Sequence, residues 1–411
     1  MKIAYCSLLL PEEKKLAERT RGRLPGISLH KFTRALIKGL DENLDKPIKV
    51  FNIINTLNYP NFPELIFKTE KWSHAKNTED WHIGYINLFG IKYITQTNGL
   101  YKKLKAFVRE NKDENCYIIV HHIFYPTVKA AYKLKKRYKD KVKILFITGD
   151  MNGQFGLQQQ FKRNIKQLIT ERIEKKVDKM VKTYDGYVFA TKEMAKAYGV
   201  EHKPFTVVEC AYAEAEYHEN KKDNSLNPDG HKVIFYAGSM RTEYGIPHLL
   251  RAFSLIDKPD YELWLAGGGS AVNMVKEYAA RDNRIKYLGF IPPKEVYIRE
   301  KNSTVLINPR TSELEFVKYS FPSKTMEGLA SGKPYIAHKL PCDPPEYAGN
   351  IIYAENESDD ALAAKIVEIC ELSDKKREEI GKKAKEFILT QKNPKVMCKK
   401  IIDMINEALI K

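Results

Sequence analysis

Between Tyr319 and Pro334 the chain reads Tyr-Ser-Phe-Pro-Ser-Lys-Thr-Met-Glu-Gly-Leu-Ala-Ser-Gly-Lys-Pro, and two of these side chains, Lys324 and Glu327, have complementary chemistry. A lysine at a helix start adds a full charge to the unpaired N–H groups and the dipole that already draw anions there. A carboxylate one turn further in accepts hydrogen bonds from sugar hydroxyls. Together they suit the phosphate and the sugar of a nucleotide sugar. The same i, i+3 spacing equally suits a solvated ion pair on a capped surface helix. Local chemistry leaves both readings open.

The elements around this run follow from its punctuation. Ser320 is a candidate N-cap, Pro322 suits a first turn, and Gly332 followed by Pro334 suits a stop. Val305–Asn308 before it and Tyr335–Ala337 after it read as buried strands. Similar alternation runs through the chain. In the first half, strands are expected at Ile3–Leu10, Pro47–Ile54, His82–Phe89, Cys116–Val120, Val142–Thr148, Gly186–Ala190 and Phe205–Cys210, with helices between; residues 55–80 carry no readable period. The helix Lys162–Tyr184 has an apolar stripe and a lysine-rich opposite face. A mixed polar stretch over Tyr217–His231 reads as a linker, after which strands restart at Val233–Tyr236. The expected domains are 1–216, 217–393 and a final helix within 394–411, an α/β architecture with parallel sheets.

Other residues of chemical interest lie at strand ends, where α/β proteins bind ligands. Gly238-Ser239-Met240-Arg241 follows a strand; the glycine admits a phosphate to the backbone and Arg241 can pair with it bidentately. Gly267 and Gly268 form a second glycine turn, which lacks the spacing of a dinucleotide fingerprint. Gly289-Phe290-Ile291-Pro292 ends the next strand. In the first half, His121 and His122 end a strand, and adjacent residues there point opposite ways. Asp150 stands at another strand end, and Gly26 and Ser28 open the first helix. A structural role, as a core histidine, a plain turn or a capped loop, fits each of these as well.

Composition narrows the class. The 411 residues are enough for two cores, and 43% hydrophobic content is that of an ordinary globular protein. No apolar run approaches the ~18 residues that span a bilayer, and no signal peptide is expected. Six scattered cysteines without C-x-x-C spacing speak against a disulfide or metal framework and for a reducing cytoplasm. The net charge is +17, and residues 101–182 hold 21 Lys/Arg against 8 Asp/Glu, a bias that favours polyanions or an anionic membrane face. A basic nucleic-acid-binding protein would share that charge, but no recognised module is present.

The run Tyr319–Pro334 resembles the donor-binding motif of glycosyltransferase family 4, in the form common among bacterial capsule and exopolysaccharide enzymes. In that family two glutamates eight positions apart flank the helix; Glu327 matches the second, and Tyr319 stands where the first is expected, with Glu313 or Glu315 available nearby. Ser239 and Tyr244 likewise stand where the family carries an arginine and a lysine. The resemblance implies a GT-B fold: two Rossmann-like domains facing across a cleft, with the last helix crossing back to the first. It implies a retaining, metal-independent transfer of a sugar from a nucleotide-diphosphate sugar to a hydroxyl of a glycan or lipid-linked glycan, with no cofactor beyond that co-substrate. His121, Arg241 and Lys324 would be catalytic. Gly238, Ser239, Gly267, Gly268, Phe290, Ile291, Glu315, Tyr319, Ser320, Ser323 and Glu327 would bind the donor, and Gly26, Ser28, His122 and Asp150 the acceptor. The place expected is the cytoplasm or the inner face of the plasma membrane. A sugar-nucleotide epimerase shares the architecture and stays open beside it.

Overall fold

Short apolar strands separated by amphipathic helices bury both strand faces most readily in a parallel sheet covered by helices on either side. The computed structural model, which describes residues 1–9, 27–149, 151, 165–213, 223–227 and 229–409, contains two such sheets. The chain divides into two compact units, Met1–Ala211 together with Pro394–Lys411, and Tyr212–Asn393.

The strands of the first unit are β1 (Lys2–Ser7), β2 (Lys49–Asn52), β3 (Ile66–Phe67), β4 (Glu70–Trp72), β5 (Asp80–His82), β6 (Tyr85–Ile86), β7 (Cys116–His121), β8 (Val142–Thr148), β9 (Gly186–Phe189) and β10 (Phe205–Val207). Eight form one sheet in the order β10-β9-β8-β7-β1-β2-β5-β4, parallel except where β4 meets β5. The strand expected over His82–Phe89 is divided. His82 ends β5, and Tyr85–Ile86 turns away to pair antiparallel with Ile66–Phe67. Gly84 permits the turn, since a Cβ there would lie 2.6 Å from the Phe67 carbonyl oxygen. Two- and three-residue strands are too short to show alternation, which is why residues 55–80 carried no period.

The C-terminal helix Pro394–Met404 packs against the helix Ile27–Asp41 of the same unit. Met397, Cys398 and Ile401 join Leu36, Leu40 and Ile3 in one fully buried cluster. A π turn, Ile405–Leu409, extends it.

The second unit holds β11 (Lys232–Ser239), β12 (Tyr261–Gly268), β13 (Ile285–Gly289), β14 (Val305–Asn308), β15 (Tyr335–Ala337) and β16 (Ile352–Tyr353), all parallel, in the order β13-β12-β11-β14-β15-β16. Its core joins Ile234, Leu263, Leu265 and Val305 of the sheet to Leu249, Phe253 and Ile366 of the covering helices. Among the described residues no helix is long and apolar enough to cross a membrane.

One capping expectation is corrected. Ser320 does not cap the helix; it follows the 3-10 turn Glu315–Tyr319, and the helix runs Ser323–Ala330 with Pro322 at its N-cap and no side-chain cap. Proline has no N–H and disfavours helical backbone in the residue before it, so the helix starts after Pro322.

Candidate functional site

The parallel sheet of the second unit brings its strand ends into a row. Gly238 pairs with Gly267 and Ser239 with Gly268. The Met240 N–H donates to the Gly268 carbonyl and the Ala271 N–H to that of Met240, each at 2.9 Å. The two glycine turns are therefore one knitted surface. Their glycines have different tasks. A Cβ on Gly267 would stand 1.9 Å from the Gly238 oxygen, and one on Gly269 2.3 Å from the Met240 oxygen, so both serve the close approach of the loops to each other. Gly268 faces open space, with nothing within 4 Å of its Cβ position, and is the glycine a ligand can approach. Next along the edge, Tyr287 donates to the Gly267 carbonyl, and Phe290 stands 81% exposed with Ile291 half-buried beside it.

On the other side of β11, the helix Ser323–Ala330 is seated by Gly328, where a Cβ would stand 2.3 Å from the Tyr335 ring. The hydroxyls of Thr325 and Tyr335 lie 3.2 Å apart beneath it. This seating places Lys324 at a small cleft shared with Tyr236, Asn308 and Glu300. Ser323 is exposed at the helix start. Lys324 Nζ donates to Glu327 Oε2 at 2.5 Å, with the two side chains 47% and 27% exposed. Burial pulls the lysine's pKa down, but the carboxylate's charge and hydrogen bond outweigh it, so the pKa lies above the ordinary value. The ion pair foreseen as the plain alternative is thus present, at the mouth of the strand row.

The sequence reading missed Arg310, which lies two residues beyond β14. Only 8% exposed, it lays its guanidinium 4.4 Å from the Tyr244 ring and 5.6 Å from that of Phe316. Nη1 donates to the Ser320 carbonyl at 3.3 Å, and Nε has no partner. Among the described residues no carboxylate lies within ion-pair distance of it, and Asp343 feels its charge from further off. Tyr244, standing where the family carries a lysine, holds a cation from another strand. The Asn-Pro-Arg ending of a buried strand was the available signal. The same stack ties the turn Glu315–Tyr319 to the loop after β11. In that turn Glu315 is exposed and Tyr319 half-buried, Ser320 just beyond it is also half-buried, and Arg241 is exposed on the loop itself.

In the first unit the strand end of β7 behaves differently from expectation. His121, expected to work outside the core, is fully buried: Nδ1 shares a 2.5 Å hydrogen bond with the Tyr5 hydroxyl, and Phe32 packs edge-on. Its Nε2 is buried without a partner. Burial, and then the neighbouring His122, hold its pKa well below the ordinary value, so it is neutral. The chain turns sharply at His122, in the left-handed region at φ 74. The two rings stack at 3.5 Å, and His122 Nε2 lies 3.2 Å from Thr33 Oγ1. Burial, then the charge of His30, lower the His122 pKa to about 3. Of the two, His122 is the one partly open to solvent. Gly26, Asp150 and the side chain of Ser28 lie outside the described residues.

Two Rossmann-like units with glycine turns at the strand ends define a GT-B fold, and solved structures agree. The chain is similar to sucrose-phosphate synthase from Thermosynechococcus elongatus (15% identity, TM-score 0.64, 99% of each chain covered). It is similar also to Anabaena HepE in complex with UDP (12%, TM-score 0.61, 99% of this chain and 100% of that one). A third is the E. coli trehalose-6-phosphate structure bound with UDP-2-fluoro glucose (11%, TM-score 0.63, 99% of each). Residues 218–387 match the family model described as Glycosyl transferases group 1. No curated protein sequence matches the chain. The family match lies within the second unit, and the solved structures agree with the whole chain in fold.

Proposed function

We propose that the chain is a retaining glycosyltransferase that moves a sugar from a nucleotide-diphosphate sugar to a hydroxyl of a glycan or lipid-linked glycan in surface polysaccharide synthesis. The observation that carries this reading is the set of cations on adjoining strand ends of the second unit. Among the described residues neither Arg241 nor the buried Arg310 has a carboxylate within ion-pair distance, and Lys324 stands at a helix N-terminus. Such a set suits a diphosphate. Gly268 gives it backbone access, and exposed Phe290 with Ile291 offers a face to the nucleobase. Glu327 would exchange Lys324 for ribose hydroxyls.

In the reaction the bond between the anomeric carbon and the phosphate oxygen breaks, and negative charge grows on the leaving diphosphate. Lys324, Arg241, Arg310 and the helix N-terminus stabilise that charge where it develops, which is the role otherwise given to a metal. The acceptor oxygen attacks the anomeric carbon from the same face, so configuration is retained. Its proton passes to the departing phosphate oxygen. In the first unit, His122 at the β7 strand end, stacked on the buried His121, is the histidine we assign to the acceptor side of the reaction.

A thermal-shift panel of nucleotide diphosphates and their sugars tests the donor half of the reading. At least one diphosphate should raise the melting temperature, because a ligand that binds only the native state stabilises it by mass action. If none does at millimolar concentration, the reading is wrong. The anomeric configuration of the product, read by NMR, tests retention.

A further inference from the structure

Fourteen large apolar side chains are exposed among the described residues, and nine of them fall between Leu57 and Ile94. The segment follows β2 and β5, so it rises from the carboxyl edge of the first unit's sheet. Its short sheet has two unlike faces. Phe67 and Tyr85 stack inward at 4.4 Å, with Phe62 behind them. Ile66 and Ile86, directly opposite one another and so on one face, are 60% and 37% exposed. The Ile86 N–H donates to Thr95 Oγ1 at 3.2 Å, which ties this face to the first turns of the helix Lys92–Glu110. That turn carries Ile94, 61% exposed, and the connection before it carries Phe89, 83% exposed. These exposed apolar side chains thus lie on joined, neighbouring elements, a clustering of the kind that marks an interaction site.

What borders it decides the occupant. The helix Lys92–Glu110 has five basic residues and one acidic, and its neighbour Tyr125–Tyr138 has five basic and none acidic. Along the first helix, Asn98, Tyr101 and Lys105 share a face with Ile94. Lys133 reaches over from the second helix to donate to Asn98 Oδ1 at 3.2 Å, and lies 5.6 Å from the Tyr101 ring. Lys102 and Lys105 stand about 12–16 Å behind Ile94 along the axis. A rigid apolar tip backed by positive charge with almost no acid among it matches an anionic bilayer surface, whose headgroups draw lysines while its acyl boundary takes the apolar side chains.

We propose that the surface of Ile66, Ile86, Phe89 and Ile94 inserts shallowly into anionic membranes, with Lys102, Lys105 and Lys133 on the headgroups. It deepens the transferase reading by naming how a lipid-linked acceptor would be met, and rests on that reading only for its purpose. The surface lies beside the β7 strand end: Tyr93 packs on Phe124 at 5.8 Å, two residues past His122.

The test is flotation of the full chain with phosphatidylglycerol/phosphatidylcholine vesicles and with phosphatidylcholine alone, at 0.1 M and 1 M NaCl. Binding to the anionic vesicles should weaken in high salt but persist, since apolar contact is not screened. Phe89→Ser/Ile94→Ser should lose the salt-resistant part and lower partitioning at low salt about tenfold to a hundredfold. Its melting temperature should be unchanged; if it falls, Phe89→Ser alone makes the same comparison. The proposal is overturned if the wild type binds no vesicles, if salt releases it completely, or if the double variant binds as the wild type does. It is overturned as well if the wild type is a dimer that the double substitution splits, because the surface is then an interface between copies. The nucleotide-diphosphate thermal shift, measured on the same preparations, separates the readings. Its absence counts against transfer, and failure to float counts only against the membrane.

Discussion

At the scale of single residues, Glu327 is held by Lys324, and this sets what each substitution does. Glu327→Gln keeps the size but turns a charge-assisted bond to ribose into a neutral one. Such bonds are worth ~1.5–3 kcal/mol, so affinity for nucleoside and nucleotide sugar should both fall roughly ten- to a hundredfold by titration calorimetry. Lys324→Ala should weaken only ligands that carry phosphate. If Glu327→Gln binds the nucleoside as the wild type does, the ribose role is wrong. The histidines separate in the same way. His121→Ala removes a fully buried ring and orphans the Tyr5 hydroxyl, so it should cost roughly 2–4 kcal/mol in chemical denaturation. His122→Ala should leave the melting temperature nearly intact and cut turnover. A stable His121→Ala protein would reverse that assignment.

At the scale of elements, a clasp holds the edge of the first sheet to a helix. His74 lies between Asp41 of the helix Ile27–Asp41 and Asp80 of β5, bonded to each at 2.8 Å. Asp80 is fully buried and also accepts from the Val50 N–H. Burial pulls the His74 pKa down, yet the two carboxylates outweigh it and raise it to about 9. The folded pKa thus exceeds the ordinary 6.5, so the stabilisation is complete below about pH 6.5 and disappears as pH rises through about 9. The melting temperature should fall across that window, and His74→Gln should flatten the fall. An equal slope in both proteins would show that the clasp does not titrate there.

At the scale of the whole chain, the two helices of the first unit that come from opposite ends of the sequence meet without a gap. A Cβ on Gly39 would stand 2.1 Å from the Pro394 carbonyl oxygen, and Asn43 Nδ2 bridges the Gly39 and Lys395 carbonyls at 2.6 and 2.8 Å. Gly39→Ala should therefore force the final helix off its seat, at a cost of ~1–3 kcal/mol, with the melting temperature lowered and residues 394–409 more open to hydrogen exchange. Unchanged exchange there would mean that the contact relaxes at no cost.

Strand and helix periods were legible wherever an element buries a continuous stripe. Val142–Thr148, Val305–Asn308 and Tyr335–Ala337 were read to the residue, because a strand covered on both faces leaves a solid apolar run. The resemblance at Tyr319–Pro334 pointed to Lys324 and Glu327 for a similar reason, as both lie within one local turn. What the chain order could not display is any relation that crosses elements. Arg310 on Tyr244, His74 on Asp41, and His121 against Tyr5 join residues 33 to 116 positions apart, and no local spacing encodes them. Whether His121 or His122 is open to solvent rested on one backbone angle at the strand end. The apolar surface over Leu57–Ile94 became visible only once burial was known, since an isoleucine is written the same way whether it faces a core or water.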